Sequence, residues 1–295
     1  MYLTGFADEA GNTIETQIRA TQELGWQFIE ARNVNGRNLH DLSDAEFDAV
    51  CAKLEAAKVR VNCFGSAIAN WGKRIDEPFD SSLAEARRAI PRMRRLGTPL
   101  IRIMSFAVLK DRGPDDQMEA ERFRRLRELT KMFLDEGLQP VHENCMNYGG
   151  MGWPYTLKLV ENVPGLKLVF DTGNPVFSDD MTQPPPRPKQ SAWEFYRHVK
   201  PHIVYVHIKD GRWDAAQQKS VFTFPGEGQG DVRRIVEDLL RSGYDGGFSI
   251  EPHLAVVHHD AAVQSPDEVR YRNYVEYGRR FERLLAAVRP PRPQA

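Results

Sequence analysis

A chain of 295 residues with 41% hydrophobic and 27% charged residues and a formal net charge of -1 has the composition of an ordinary globular protein that can bury a sizeable core. The near-zero charge argues against nucleic acid as the main partner, because phosphate-binding surfaces carry a basic excess, and no run is apolar enough to span a bilayer. Three cysteines (Cys51, Cys63, Cys145) are too few for a disulfide framework, and the opening "MYLTGFADEA" enters a strand pattern without a leader-like segment, so a cytoplasmic protein is the expectation.

The first strand pattern is "YLTGFAD", followed by a helix capped at Asn12 or Thr13 and ended by Gly25. "ELGWQFIEAR" is the second strand. Ser43 and Glu46 then have the S-x-x-E spacing of a capping box leading into Phe47, Val50 and Leu54. "AAKVRVNCFG" and "RLGTPLIRIMSF" are the third and fourth strands. The helix between them contains Pro91, which should cost about 3 kcal/mol or impose a kink. "DEGLQPVHEN", "NVPGLKLVFDTG", "VKPHIVYVHIKD" and "SGYDGGFSIEP" supply strands five to eight, with the Pro-rich "MTQPPPRPKQ" as a loop excursion. Asp231 precedes a helix over Val232, Ile235, Val236 and Leu239, and a last helix runs from about Asp267 to Val288. The strand runs are continuously apolar, as expected of parallel strands covered on both faces.

Eight strands alternating with eight helices predict a single-domain (β/α)8 TIM barrel over residues 1–289, with 290–295 a disordered Pro-rich tail. A doubly wound open sheet is disfavoured because no G-x-G-x-x-G or G-x-x-x-x-G-K-[ST] follows any strand.

In a TIM barrel the strand ends gather at the active site. Strands five to eight end on "VHEN", "VFDTGN", "VHIKD" and "SIEPH", carrying Glu143, Asp171, His207 and Glu251. Each alone reads as a cap, a turn or a core histidine. Together, unpaired carboxylates crowded at a barrel mouth would repel one another without a cation. Three carboxylates and an imidazole form a hard-to-borderline ligand set that suits one divalent ion, Mn²⁺ first, with Mg²⁺, Co²⁺ or Zn²⁺ fitting the same donors.

With the order Glu, Asp, His, Glu, the "HIKD" phrase (His207 to Asp210) and the "GEG" turn (Gly226 to Gly228), the chain resembles the xylose isomerase-like TIM barrels over nearly its whole length. That family of sugar isomerases and epimerases includes inosose dehydratases, ketose 3-epimerases and the apurinic endonuclease four-type nucleases. The resemblance implies a metal held by Glu143, Asp171, His207 and Glu251, with Glu143 and Glu251 also moving protons next to a substrate carbonyl. It implies a small-molecule carbohydrate as partner, and relatives that form dimers or tetramers. Asn174 and the Lys209-Asp210 pair depart from ketose 3-epimerases and look more like inosose-type dehydratases.

The expected activity is a metal-dependent isomerase or epimerase acting on a keto-sugar or cyclic polyol, with dehydration as the alternative. A non-catalytic sugar-binding protein and an apurinic-site nuclease rank below, since strands one to four end without histidine. Lys209 reads either as a third catalytic group or as a salt-bridge partner of Asp210 or Glu227. His253, Arg32, Trp71 and Asn174 are candidate substrate contacts, and Glu9 and Arg32 equally fit surface roles. Asn70, Trp71 and Lys73 suit a lid, and Trp153 and Trp213 could stack on a sugar. His142 should face away from the metal, Cys145 is inert, and His258 and His259 are loop residues.

Overall fold

The structure is a computed structural model that describes residues 1–257 and 264–289. Eight parallel strands form the central sheet: β1 (Tyr2–Gly5), β2 (Phe28–Ala31), β3 (Arg60–Phe64), β4 (Leu100–Ile103), β5 (Gln139–Glu143), β6 (Lys167–Asp171), β7 (Ile203–Ile208) and β8 (Gly247–Ile250). Their spatial order runs β1-β8-β7-β6-β5-β4-β3-β2, and a parallel bridge between Phe6 and Glu30 brings the two ends together. This is the predicted TIM barrel, and all eight anticipated strands are present. The expected tail and the histidines at 258 and 259 lie outside the described residues.

Among the described residues, eight helices of two turns or more surround the sheet: α1 (Ile14–Glu23), α2 (Asp44–Ala57), α3 (Asp80–Leu96), α4 (Glu119–Leu134), α5 (Trp153–Asn162), α6 (Ala192–Val199), α7 (Val232–Arg241) and α8 (Asp267–Val288). Thr13 caps α1 through its side chain, and Ser43 with Glu46 forms the reciprocal capping box of α2. Asp231 precedes α7 as expected, but in a left-handed conformation and without a side-chain cap. Pro91 lies inside an uninterrupted α3. Its exposed position sits one turn after exposed Arg87, whose carbonyl loses an intrahelical partner where water can replace it.

Two antiparallel hairpins escaped the strand count, Asn33–Val34 with Arg37–Asn38 and Gly211–Asp214 with Lys219–Phe222. Both follow barrel strands and wall the carboxyl-end mouth. The main core fills the space between sheet and helices. A small separate cluster of Cys63, Val141, Val169 and Tyr205, with Tyr2 and Leu100 against it, plugs the barrel interior.

That plug explains where the candidate site sits. Side chains two residues apart on a strand share a face. Moving two residues from Leu100, Val141, Val169 and Tyr205 gives Arg102, Glu143, Asp171 and His207. The apolar layer is the floor, and the polar layer directly above it is the candidate site.

Candidate metal centre and active site

Glu143 and Asp171 end β5 and β6, His207 is the penultimate residue of β7, and Glu251 follows β8 directly. All four are buried, at most 3% exposed. One ligand atom from each falls within 4.8 Å of every other. Two metal–ligand bonds of about 2.1 Å on opposite sides of an ion span about 4.2 Å, so this cage has the size of one divalent cation.

The remaining atom of each residue is held elsewhere, which aims the first. Asp171 Oδ1 accepts the backbone N–H groups of Gly173 and Asn174 at 2.8 and 2.7 Å, leaving Oδ2 to face the cage. Glu143 Oε2 accepts from Arg102 Nη1 at 2.8 Å, and its Oε1 accepts from Asn174 Nδ2 at 3.0 Å. Glu251 Oε1 accepts from Arg32 Nη1 at 3.3 Å. His207 turns Nε2 to Glu30, 3.0 Å away, while its Nδ1 lies 3.6 Å from Glu143 Oε1 and 3.8 Å from Glu251 Oε2.

Three buried atoms face the cage without a well-aligned hydrogen bond, Asp171 Oδ2, His207 Nδ1 and Glu251 Oε2, and the two oxygens share the Lys209 ammonium at 3.0 and 2.8 Å. Buried polar atoms normally find partners. A cation between them would give His207 Nδ1 a partner and share the two oxygens with Lys209, so the donor set fits a divalent metal.

The charges point the same way. Burial disfavours charge on His207, but Glu30 and Glu143 outweigh it and push its pKa up to about 10. Burial also works against ionised Glu143, and Arg102 and His207 overcome it, lowering its pKa to about 2. Asp171 goes the other way, up to about 6, because burial together with Glu251 and Glu143 outweighs Lys209. Lys209 is held protonated by Asp171 and Glu251 against its burial, and Glu251 sits well below the usual carboxylate range, with Lys209 the largest influence opposing its burial.

Lys209 Nζ is 2.8 Å from Glu251 Oε2, 3.0 Å from Asp171 Oδ2 and 3.1 Å from Asn174 Oδ1. The alternative partners are therefore corrected. Asp210 instead accepts backbone N–H groups from Gly211, Gly226, Gly228 and Gly230, which accounts for the "GEG" turn, and Glu227 pairs with Arg280.

Surface roles for Arg32 and Glu9 are likewise excluded, since they are 8% and 2% exposed. Arg32 forms a two-pronged pair with Asp8 at 2.9 and 3.1 Å. Glu9 accepts the backbone N–H of His253 at 2.8 Å, and its other oxygen lies 3.0 Å from His253 Nδ1. Glu9, Glu251 and His253 make a second ligand-like group. Arg32 Nη2 is 3.4 Å from Glu9 and Nη1 is 3.3 Å from Glu251, so both carboxylates of this group already pair with a guanidinium.

Above the cage opens a cavity of about 320 Å³ that brings together Arg32, Trp71, Asn174, Lys209, Glu251 and His253. Trp71 is 40% exposed on its rim. Phe222, from the unanticipated hairpin, packs on the His253 ring at 5.0 Å between centroids. Asn70 also lines the cavity, whereas Lys73 pairs with Glu85. Trp153 stacks on His198 and Trp213 lies under Lys189, both outside this lining. His142 faces away, its Nε2 3.0 Å from Ser105 Oγ, and burial pushes its pKa down to about 4. Burial raises the Cys145 thiol well above its usual range, which keeps it protonated.

Sequence reasoning passed over Arg102 and Glu30. The available signal was the two-residue step, which puts Arg102 in line with Leu100 and Glu30 in line with Arg32.

A family model described as xylose isomerase-like TIM barrel matches residues 18–272. An inosose dehydratase from Geobacillus thermodenitrificans (strain NG80-2) is 26% identical over 167 residues, 51% of this chain and 51% of that protein, so the match spans about half of that relative's length. A xylose isomerase-like TIM barrel protein from Mycobacterium smegmatis, solved in complex with magnesium, superposes with a TM-score of 0.69 at 19% identity over 97% of both chains. A D-tagatose 3-epimerase-like protein superposes with a TM-score of 0.70 at 16% identity over 98% of both. At these identities the structural likeness establishes the fold.

Proposed function

This chain belongs to the xylose isomerase-like TIM barrel family, and on that premise we propose that it is a divalent-metal-dependent enzyme that removes a proton next to the carbonyl of a small keto-sugar or cyclic polyol ketone and returns it, as an isomerase or epimerase does. The observation that carries this reading is the buried four-residue cage, whose ligand atoms lie within 4.8 Å of one another and whose His207 Nδ1 has no hydrogen-bond partner. Glu143, Asp171, His207 and Glu251 hold the ion, which supplies Lewis acidity toward the carbonyl and an adjacent hydroxyl when bound. Mn²⁺ is the expected metal, and Mg²⁺, Co²⁺ or Zn²⁺ suit the same donors.

Glu143 and Glu251 approach the cage from different strands, each with one oxygen toward the ion and the other on an arginine. One takes the proton from carbon, and the other delivers a proton to the opposite face or to the neighbouring carbon. Arg102 keeps Glu143 ionised and Lys209 keeps Glu251 ionised, while Arg32 holds the outer oxygen of Glu251 in place. Lys209, protonated between Asp171 and Glu251, donates to a substrate oxygen. Asn174, Arg32 and His253 meet hydroxyl groups, and Trp71 covers the apolar face of the ring.

Dehydration is the second reading. His253, backed by Glu9 and with Nε2 3.6 Å from Glu251 Oε1, adds a proton-handling group beside one glutamate, as departure of a β-hydroxyl requires. The identity to an inosose dehydratase favours it as well.

Solvent-deuterium incorporation into a panel of keto-sugars and inososes, read by mass spectrometry with Mn²⁺-loaded protein, tests both. Deuterium beside the carbonyl without loss of mass supports isomerisation or epimerisation, and loss of 18 Da (about one water) supports dehydration. A metal-loaded protein that exchanges no panel member refutes the proposal for these substrates.

A further inference from the structure

Glu30 is wholly buried on the inner face of β2, at the layer just beneath the cage. Barrel interiors are ordinarily filled by branched aliphatic side chains, and a carboxylate there gives up its hydration, a loss that donors must offset. Every contact it makes is a donor. Ser249 Oγ donates to Oε2 at 2.6 Å and Tyr205 Oη donates to the same oxygen at 2.8 Å. His207 Nε2 lies 3.2 Å from Oε1 and 3.0 Å from Oε2. Among the described residues, His207 is its one ion-pair partner.

The donors are themselves fixed. Tyr205 Oη accepts from Asn62 Nδ2 at 2.9 Å, and Asn62 Oδ1 accepts from Thr4 Oγ1 at 2.8 Å. The chain of contacts thus runs through β1, β3, β7, β2 and β8 and ends on the ring of one proposed ligand. Phe6 and Tyr205 also pack edge-on against that ring, with centroids 4.9 and 5.5 Å away. His207 has little freedom to turn.

We propose that Glu30 is a positioning residue for the metal centre: by accepting the Nε2 proton of His207, it commits Nδ1 to the cation and strengthens that nitrogen as a donor. The inference rests on the four-ligand reading above and deepens it. With Nε2 as the donor, Nδ1 keeps a lone pair, and that lone pair points at the space shared with Glu143 Oε1 and Glu251 Oε2. A neutral acceptor would orient the ring as well. The carboxylate adds charge, polarising the ring toward the ion, which is why outer carboxylates behind ligating histidines change metal affinity by about 10–100-fold.

The test is Mn²⁺ titration by calorimetry of the full chain and of Glu30→Gln, with thermal unfolding of both in the metal-free state. Glutamine keeps the size and an accepting oxygen and removes the charge. The expected result, compared as the pH-independent constant for the neutral His207 ring, is an Mn²⁺ dissociation constant raised by about 10–100-fold. A Glu30 that only packs would lower the melting temperature of Glu30→Gln and leave the dissociation constant within twofold, and that outcome overturns the inference. If Glu30→Gln does not fold, imidazole nitrogen-15 spectra of the unsubstituted chain loaded with Zn²⁺ decide the matter. They should show Nε2 protonated and Nδ1 bound to the ion, and the reverse assignment overturns the inference. An unsubstituted chain that binds no divalent metal refutes the four-ligand reading itself, whereas metal binding that is indifferent to Glu30 refutes only this step.

Discussion

Replacing Lys209 by methionine removes the one ammonium inside the cage while keeping most of the apolar stem. In the metal-free protein its Nζ faces Glu251 Oε2 at 2.8 Å and Asp171 Oδ2 at 3.0 Å, with all three groups buried. Truncating one partner of a buried pair costs about 3–5 kcal/mol, because a buried charge is left uncompensated. Here two carboxylates lose the same cation, so the metal-free Lys209→Met protein should be less stable by the upper part of that range. A divalent ion in the cage compensates the same oxygens, so the deficit should shrink when metal is saturating. If it shrinks by about 2 kcal/mol, thermodynamic linkage requires Lys209→Met to bind the metal about 30-fold more tightly than the unsubstituted chain. Urea unfolding with and without saturating Mn²⁺ measures both deficits, and calorimetric titration measures the affinity independently. A deficit of the same size in both states, or an affinity that falls, would refute the placement of Lys209 and the ion on shared oxygens.

Glu143→Gln and Glu251→Gln should each lower kcat by about 10²–10⁴-fold while the far-ultraviolet dichroism stays native, since each removes a proton-transfer group; a near-native rate removes that residue from the mechanism. Metal uptake should release protons, because His207 is protonated up to about pH 10 in the metal-free protein and must bind the ion as the neutral ring. Between pH 7 and 9 the apparent Mn²⁺ affinity should therefore rise about tenfold per pH unit, and calorimetry in buffers of different ionisation enthalpy counts the protons. The raised His207 pKa also stabilises the metal-free fold fully below its unfolded value of about 6.5 and loses that contribution as pH climbs through about 10. The depressed Glu143 pKa does the opposite, contributing above about pH 4.3 and losing it as pH falls through about 2. Gly228→Ala should cost about 1–3 kcal/mol in a thermal melt, because the added Cβ overlaps Asp210 and the backbone of Gly211.

Much of the fold was legible because its signals are local. Thr13, Ser43 and Glu46 act within one turn of the helices they start, and each strand announced itself as an apolar run between turn residues. Val141 and Glu143, Val169 and Asp171, or Tyr205 and His207, alternate along single strands, so the step from floor to cage could be read without knowing which strands are neighbours. The hairpin at 211–222 was missed because its two strands of four residues carry mixed polar and aromatic side chains and no sustained alternation. Pro91 reads from sequence as a cost or a kink, because its tolerance depends on which helix face meets solvent.

The chain by itself determined the eight-fold repeat and the types and order of the four candidate ligands, since these depend on residue type and on spacing within a strand. Only the tertiary structure decided which charges meet. Arg102 finds Glu143 41 residues away, Arg32 finds Glu251 219 residues away, and Glu9 finds His253 244 residues away. Lys209 turned from its sequence neighbour Asp210 to Asp171 and Glu251, because Asp210 is already filled by four backbone N–H groups. Such pairings follow from barrel closure, which sets strands far apart in sequence side by side and removes the water that would otherwise screen their charges.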